Sequence, residues 1–180
     1  IRFICNSTLN NLSLLVSIPE KQGQFLKFYE NIIKKDIDIS EFNYRYRNKK
    51  IAEILVGIRS NDHNKIFNRL NDNKLKYKII KDNIINRYLK KTIFGNSLSL
   101  NKKEILIQFE FPEMIGALDT FLRKLNGNYN ITLFDYKNLG GHYGNVIIGF
   151  ENNNIDFNIF YKDLDIINYK YNIIDKNKIF

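Results

Sequence analysis

Pro19-Glu20-Lys21-Gln22-Gly23, with the apolar run Leu12 to Ile18 before it and Gln24-Phe25-Leu26-Lys27-Phe28 after it, reads as a strand, a tight turn and a helix start. The same order returns ninety-three positions later in Pro112-Glu113-Met114-Ile115-Gly116, followed by Ala117-Leu118-Asp119-Thr120-Phe121. A chain that places strand, Pro-Glu-x-x-Gly and amphipathic helix twice contains two copies of one unit. Such a turn leaves unpaired N–H groups at a helix start, where the helix dipole favours a carboxylate or phosphate. Glu20, Gly23, Glu113 and Gly116 are therefore candidate residues of two related ligand sites. The plainer alternative is that Pro ends a strand and Gly supplies an awkward dihedral, with no ligand involved.

Working outward, Phe25, Phe28, Ile32 and Ile33 fall on one helical face. Ile37 to Tyr46 alternates as a second strand, Arg47-Asn48-Lys49-Lys50 makes a turn, and Ile51 to Arg59 gives a third strand. His63 to Leu70 suits a helix capped by Asp62, and Tyr77-Lys78-Ile79-Ile80 closes the unit. The order is βαββαβ, an α+β, ferredoxin-like arrangement with both helices on one face of an antiparallel sheet. Asp82 to Lys91 reads as a connecting helix and Phe94-Gly95-Asn96-Ser97 as the loop that ends it.

The plan then repeats: strand Glu104 to Phe111, helix Leu118 to Leu125, strand Tyr129 to Lys137, loop Gly140-Gly141, strand Gly144 to Phe150, a helix near Phe157 to Leu164, and strand Tyr169 to Ile173. Glu41-Phe42-Asn43-Tyr44-Arg45 matches Leu133-Phe134-Asp135-Tyr136-Lys137, and Leu55-Val56-Gly57-Ile58-Arg59 matches Ile147-Ile148-Gly149-Phe150-Glu151, both at an offset of ninety-two. The expected division is residues 1–81, a connector at 82–103, and residues 104–180.

A chain of 180 residues allows one domain or two small ones, with apolar content sufficient for a core. The net charge of +9 invites a nucleic-acid reading, but basic and acidic residues are interspersed rather than gathered in a stripe. A ferredoxin-like sheet that binds RNA would need exposed aromatics on its face. No apolar run reaches membrane-spanning length, and the single Cys5 fits a reducing, cytoplasmic compartment. The opening Ile1-Arg2-Phe3 is neither a start methionine nor a signal peptide, so a cut from a longer protein is expected.

Catalytic chemistry finds little support. His63 and His142 lack a partner at metal-ligand spacing, and Gly140-Gly141-His142-Tyr143-Gly144 lies between strands, where a hairpin turn explains it. Two triplets invite more attention: Asn43-Tyr44-Arg45 and Asp135-Tyr136-Lys137, each in the second strand of its unit. If turn and triplet meet, a small amino acid would find hydrogen bonds, charge and an apolar wall. The competing reading makes Tyr44 and Tyr136 half-buried strand aromatics with their basic neighbours in solvent.

Leu15 to Phe28, Glu41 to Tyr46, Phe109 to Leu118 and Asn130 to Tyr136 together strongly resemble the C-terminal regulatory region of biosynthetic threonine dehydratases. The resemblance implies two ACT-like subdomains that bind isoleucine as feedback inhibitor and valine as activator. It also implies control of an N-terminal, pyridoxal-phosphate-dependent domain that turns threonine into 2-oxobutanoate and ammonia, the first step of isoleucine biosynthesis, in a homo-oligomer. The fragment itself is then non-catalytic, without cofactor, metal, nucleic acid or membrane partner. The family's effector-sensing tyrosines fall on Tyr44 and Tyr136. Each is followed in the family by Arg, where this chain has Arg45 and Lys137, and the connector Lys91-Thr92-Ile93-Phe94-Gly95-Asn96 departs from the family pattern. Since only Arg offers a planar fork for a carboxylate, the Tyr44 site is expected to dominate. The alternative is a structural or oligomerisation domain that has lost effector control.

Overall fold

The computed structural model describes residues 11–34, 36–45, 50–81, 85, 86, 89, 104–125, 127–137, 141–153 and 155–174. Cys5, the turn at Arg47-Asn48-Lys49, the loop Phe94 to Ser97, Gly140 and most of the expected connecting helix lie outside these residues. Within the connector, Ile85, Asn86 and Leu89 are helical.

The first half runs β1 (Asn11–Pro19), α1 (Gln24–Phe28) continuing as a π-helical turn (Tyr29–Ile33), β2 (Asp38–Arg45), β3 (Ile51–Arg59), α2 (Asn64–Asp72) and β4 (Lys76–Ile80). The second runs β5 (Glu104–Pro112), α3 (Ala117–Leu125), β6 (Ile131–Lys137), β7 (Tyr143–Glu151), α4 (Phe157–Ile167) and β8 (Tyr171–Ile174). Alternation explains the strands: Leu12, Leu14, Val16 and Ile18 are buried in β1, as are Ile107, Phe109 and Phe111 in β5. The helices present Phe25, Phe28, Ile32 and Ile33, and Leu118, Phe121, Leu122 and Leu125, to the same layer. The N-cap position of α2 falls on His63 rather than the expected Asp62, which lies one residue earlier and accepts from the Asn64 amide at 3.0 Å. Asp156 caps α4 through the amides of Asn158 and Ile159.

The sequence plan implies two sheets; the structure joins them into one. Eight antiparallel strands lie in the order β4-β1-β3-β2-β6-β7-β5-β8, so the halves meet edge to edge through β2 and β6. Each half leaves its second strand at an open edge, and pairing the two edges satisfies both rows of backbone groups. In the register Asn43 faces Asp135, its own counterpart in the repeat, with Tyr44 opposite Phe134 and Phe42 opposite Tyr136. A pseudo-twofold axis thus passes between Asn43 and Asp135.

The helical layer is continuous across this axis. Arg123 of α3 reaches Glu30 beside α1 at 2.8 Å, and the Phe25 ring lies 5.2 Å from that of Phe134 in β6. Phe134 also neighbours Phe42, Phe111 and Phe121, so one aromatic core serves both halves.

The π-helical turn ends at Lys34, whose φ is 56°. Its last carbonyls are covered from α2, where Arg69 donates to Ile32 O at 2.9 Å and also grips both carboxylate oxygens of Asp36 at 3.0 and 2.8 Å. The Arg69 hydrogen bonds hold the Asp36 carboxyl well below the usual carboxylate range, and Lys65 adds to the effect. A depressed pKa contributes stability above the ordinary value that is lost as pH falls towards the folded one. Asp36→Asn is therefore expected to lower stability by about 1 kcal/mol at neutral pH, the pair being 40% exposed on the Asp36 side. Thermal melts at pH 7 and pH 3 should show the gap to wild type narrowing below about pH 4; a gap that widens on acidification would contradict this.

Candidate functional site

Both Pro-Glu-x-x-Gly turns fold alike. Lys21 N donates to Pro19 O, Gln24 N to Lys21 O and Lys27 N to Gly23 O; Met114, Ala117 and Thr120 repeat the three bonds to Pro112, Met114 and Gly116. Gly23 and Gly116 have φ of 78° and 92°, and a Cβ at either would meet nothing within 4 Å. Glycine is required there by the dihedral and not by crowding. The expected cluster of free helix-start donors is reduced, because the amides of Gln24 and Ala117 are spent inside their turns. The Asp119 amide bonds the Tyr29 hydroxyl, which burial pushes well above the ordinary tyrosine range.

Each turn forms one wall of a cleft, and the other half of the molecule forms the opposite wall. Glu20, Gly23, Phe25 and Tyr44 face Leu122 and Asn130 across one cleft. Glu113, Gly116, Leu118 and Tyr136 face Tyr29 and Arg59 across the other, which is also lined by Asp38. The opposing walls obey the repeat as well, since Tyr29 corresponds to Leu122 and Ile37-Asp38-Ile39 to Tyr129-Asn130-Ile131. The clefts are thus two versions of one site related by the pseudo-twofold axis. In the first the Tyr44 hydroxyl donates to Glu20 Oε1 at 3.4 Å.

They are unequal. The Tyr136 cleft encloses ≈ 250 Å³, room for a small organic molecule, while the Tyr44 cleft retains ≈ 30 Å³ beside Glu20 and Tyr44, with a separate ≈ 420 Å³ hollow against Gln22, Asn130 and Glu151. Their charges differ too. Arg59 bonds Asp38 at 3.3 Å beside the open cleft, whereas at the corresponding positions Glu151 accepts from Asn130 at 2.6 Å.

The structure brings Glu20, Gly23 and Tyr44 together, and likewise Glu113, Gly116 and Tyr136, but separates the remaining candidates from both clefts. Successive strand residues point to opposite faces, so Asn43, Arg45, Asp135 and Lys137 lie on the far side of the sheet from the tyrosines. There Arg45 forms a fork on Glu104 at 2.6 and 3.2 Å, and Glu104 also accepts from Thr132. Lys137 stands opposite Glu41 in the register. The expectation that Arg45 receives a ligand carboxylate beside Tyr44 is therefore corrected: its guanidinium is already bound in a mostly buried ion pair. Tyr29, Asp38 and Arg59 were missed. All three follow the repeat offset, but they join the site only because the halves dock side by side.

Among the described residues, no group of His, Cys, Asp and Glu could hold a metal. No helix among them is long and apolar enough to cross a membrane.

Two ferredoxin-like units share one sheet, with ligand-sized space where they meet. Residues 5–89 and 95–180 match the model for the C-terminal regulatory domain of threonine dehydratase, and the chain belongs to that family. It is 39% identical over 165 residues to the L-threonine dehydratase biosynthetic IlvA of Pasteurella multocida, covering 88% of this chain and 31% of that protein. It is 34% identical to the enzyme of the same name from Haemophilus influenzae, covering 92% of this chain and 32% of that one. The chain thus spans about a third of these relatives. Among solved structures it is similar to aspartate kinase from Synechocystis, at 10% identity and a TM-score of 0.36, over 92% of this chain and 43% of that one.

Proposed function

We propose that this chain senses branched-chain amino acids for a biosynthetic threonine dehydratase, with isoleucine as inhibitor and valine as activator. The observation that carries the reading is the open cleft at the junction, whose two walls come from different halves. An amino acid needs an acceptor for its ammonium, a donor for its carboxylate and an apolar wall. Glu113 and Tyr136 supply the first, Arg59 the second, and Phe111, Ala117 and Leu118 the third. A ligand bridging two halves favours the arrangement that fits it, and two ligands of different bulk favour different arrangements. The reaction being regulated, threonine to 2-oxobutanoate and ammonia, belongs to a cytoplasmic enzyme whose N-terminal part carries pyridoxal phosphate. The clefts described here do not suit that cofactor, because Gly116 and Gly141 of the open cleft sit in separate turns rather than in one phosphate-cradling loop.

Isothermal titration of the full-length protein with isoleucine and with valine tests this. Saturable binding of both, each reducing the apparent affinity of the other, is the expected result. No heat and no thermal shift at millimolar concentrations of either would contradict it.

A further inference from the structure

The wall that the first half gives to the open cleft is a corner with two arms. Tyr29 lies on one arm, in the π-helical turn after α1, and Ile37, Asp38 and Ile39 lie on the other, where β2 begins. Between them the backbone bends at Lys34 with φ 56° and ψ −164°, a combination left almost entirely to glycine. The repeat shows the unstrained version. Gly127, the counterpart of Lys34, has φ 66° after α3, and α3 is a regular α-helix over the nine residues Ala117–Leu125. In the first half the helix instead widens at Tyr29–Ile33, and the Lys34 amide reaches back five residues to Tyr29 O at 2.8 Å.

Arg69 of α2 holds this corner from outside. Its guanidinium donates to Ile32 O at 2.9 Å and Ile33 O at 3.4 Å on the first arm, and to both carboxylate oxygens of Asp36 at the start of the second. The Arg69 side chain is 15% exposed and does not line the cleft. Four hydrogen bonds thus span a strained bend from a residue that a ligand in the cleft would not touch.

We infer that Arg69 is a positioning residue for the open cleft: by spanning the strained bend at Lys34 it fixes the spacing of Tyr29 from Asp38, and with it the shape a ligand meets. Without the clamp the bend relaxes toward the conformations a lysine prefers, and both arms move with it. The effect on ligand affinity rests on reading this cleft as an amino-acid site; the clamp itself does not. A cleft that is competent in about a tenth of the molecules binds about tenfold more weakly.

The test uses Arg69→Leu, Lys34→Gly and the double variant in the full-length protein. Lys34→Gly alone should raise the melting temperature by about 2–4 °C, because relief of the strained dihedral exceeds the entropy that glycine adds to the unfolded chain. Arg69→Leu should quicken hydrogen–deuterium exchange about tenfold over residues 29–34, leave α4 unchanged, and weaken isoleucine binding about tenfold. Adding Lys34→Gly to Arg69→Leu should return exchange and affinity most of the way to wild type, a rescue of affinity that a merely stabilising ion pair would not give. Unchanged exchange in Arg69→Leu, or a melting temperature that Lys34→Gly leaves unchanged or lowers, would overturn the clamp. Restored exchange with affinity still lost would overturn the positioning role. Where Arg69→Leu fails to fold, Arg69→Lys, which keeps the charge but loses the fork, goes through the same comparison. If isoleucine gives no heat in any form, exchange and melting still decide the clamp while the amino-acid reading of the cleft falls.

Discussion

Phe134→Ala is expected to remove about 3–5 kcal/mol of stability, the range for truncating a buried phenylalanine whose surroundings cannot close on the space. Phe134 is fully buried in β6. Its ring lies 5.2 Å from Phe25 of α1, 5.7 Å from Phe42 of β2, 6.4 Å from Phe111 of β5 and 6.5 Å from Phe121 of α3. These neighbours belong to both halves and to both helices that form cleft walls, so the loss should reach each half and loosen the junction. Phe160→Ala provides the comparison, because Phe160 packs against Tyr129, Phe150 and Tyr161, all within the second half. Urea denaturation should show a single lowered transition for Phe160→Ala. For Phe134→Ala it should show either a larger loss or separate unfolding of the halves. A loss below about 1 kcal/mol for Phe134→Ala would mean that the halves do not share one core.

Arg59→Leu is expected to weaken isoleucine binding by about ten- to a hundredfold with little change in melting temperature. A charge-assisted hydrogen bond to a carboxylate contributes about 1.5–3 kcal/mol, and each 1.4 kcal/mol is tenfold in affinity. The ion pair with Asp38 is long at 3.3 Å, and its partners are 26% and 29% exposed, so its own contribution to folding is small. Arg59→Lys should recover part of the binding, since it restores the charge but not the fork. Glu151→Gln, at the counterpart of Arg59 in the repeat, should leave affinity unchanged. Equal loss of affinity in Arg59→Leu and Glu151→Gln would show that the carboxylate is held elsewhere.

Much of this could be read from the residues alone, because the repeat is written in local signals. Apolar alternation placed β1 and β5, and the Pro-Glu-x-x-Gly turns placed the starts of α1 and α3 within a residue. The turn residues and tyrosines line common clefts, a meeting that the residues alone left open. The junction was harder. Nothing in Glu41 to Arg45 announces that its edge will pair with Leu133 to Lys137, since any open strand edge can accept any other. The partners of Arg45 and Arg59 are fixed by that docking: the fork beside Tyr44 turned away to Glu104, and the unremarked Arg59 came to line the roomier cleft. The bonds from Gln22 to the carbonyls of Gly127 and Asn128 were equally hidden, since they exist only when the acceptors on the other half are in place.

Asn43 meeting Asp135 on the axis has a further meaning. Were the two halves separate, identical molecules forming a symmetric dimer, the residue at that point would necessarily confront itself. Two aspartates would repel, and any substitution would be made twice. Covalent linkage frees the copies from that self-matching. A buried amide set against a carboxylate is a combination no pair of identical subunits could present. The same freedom lets Gln22 and Arg59 each exist on one side only, so fusion is what permits a doubled architecture to carry two unlike clefts.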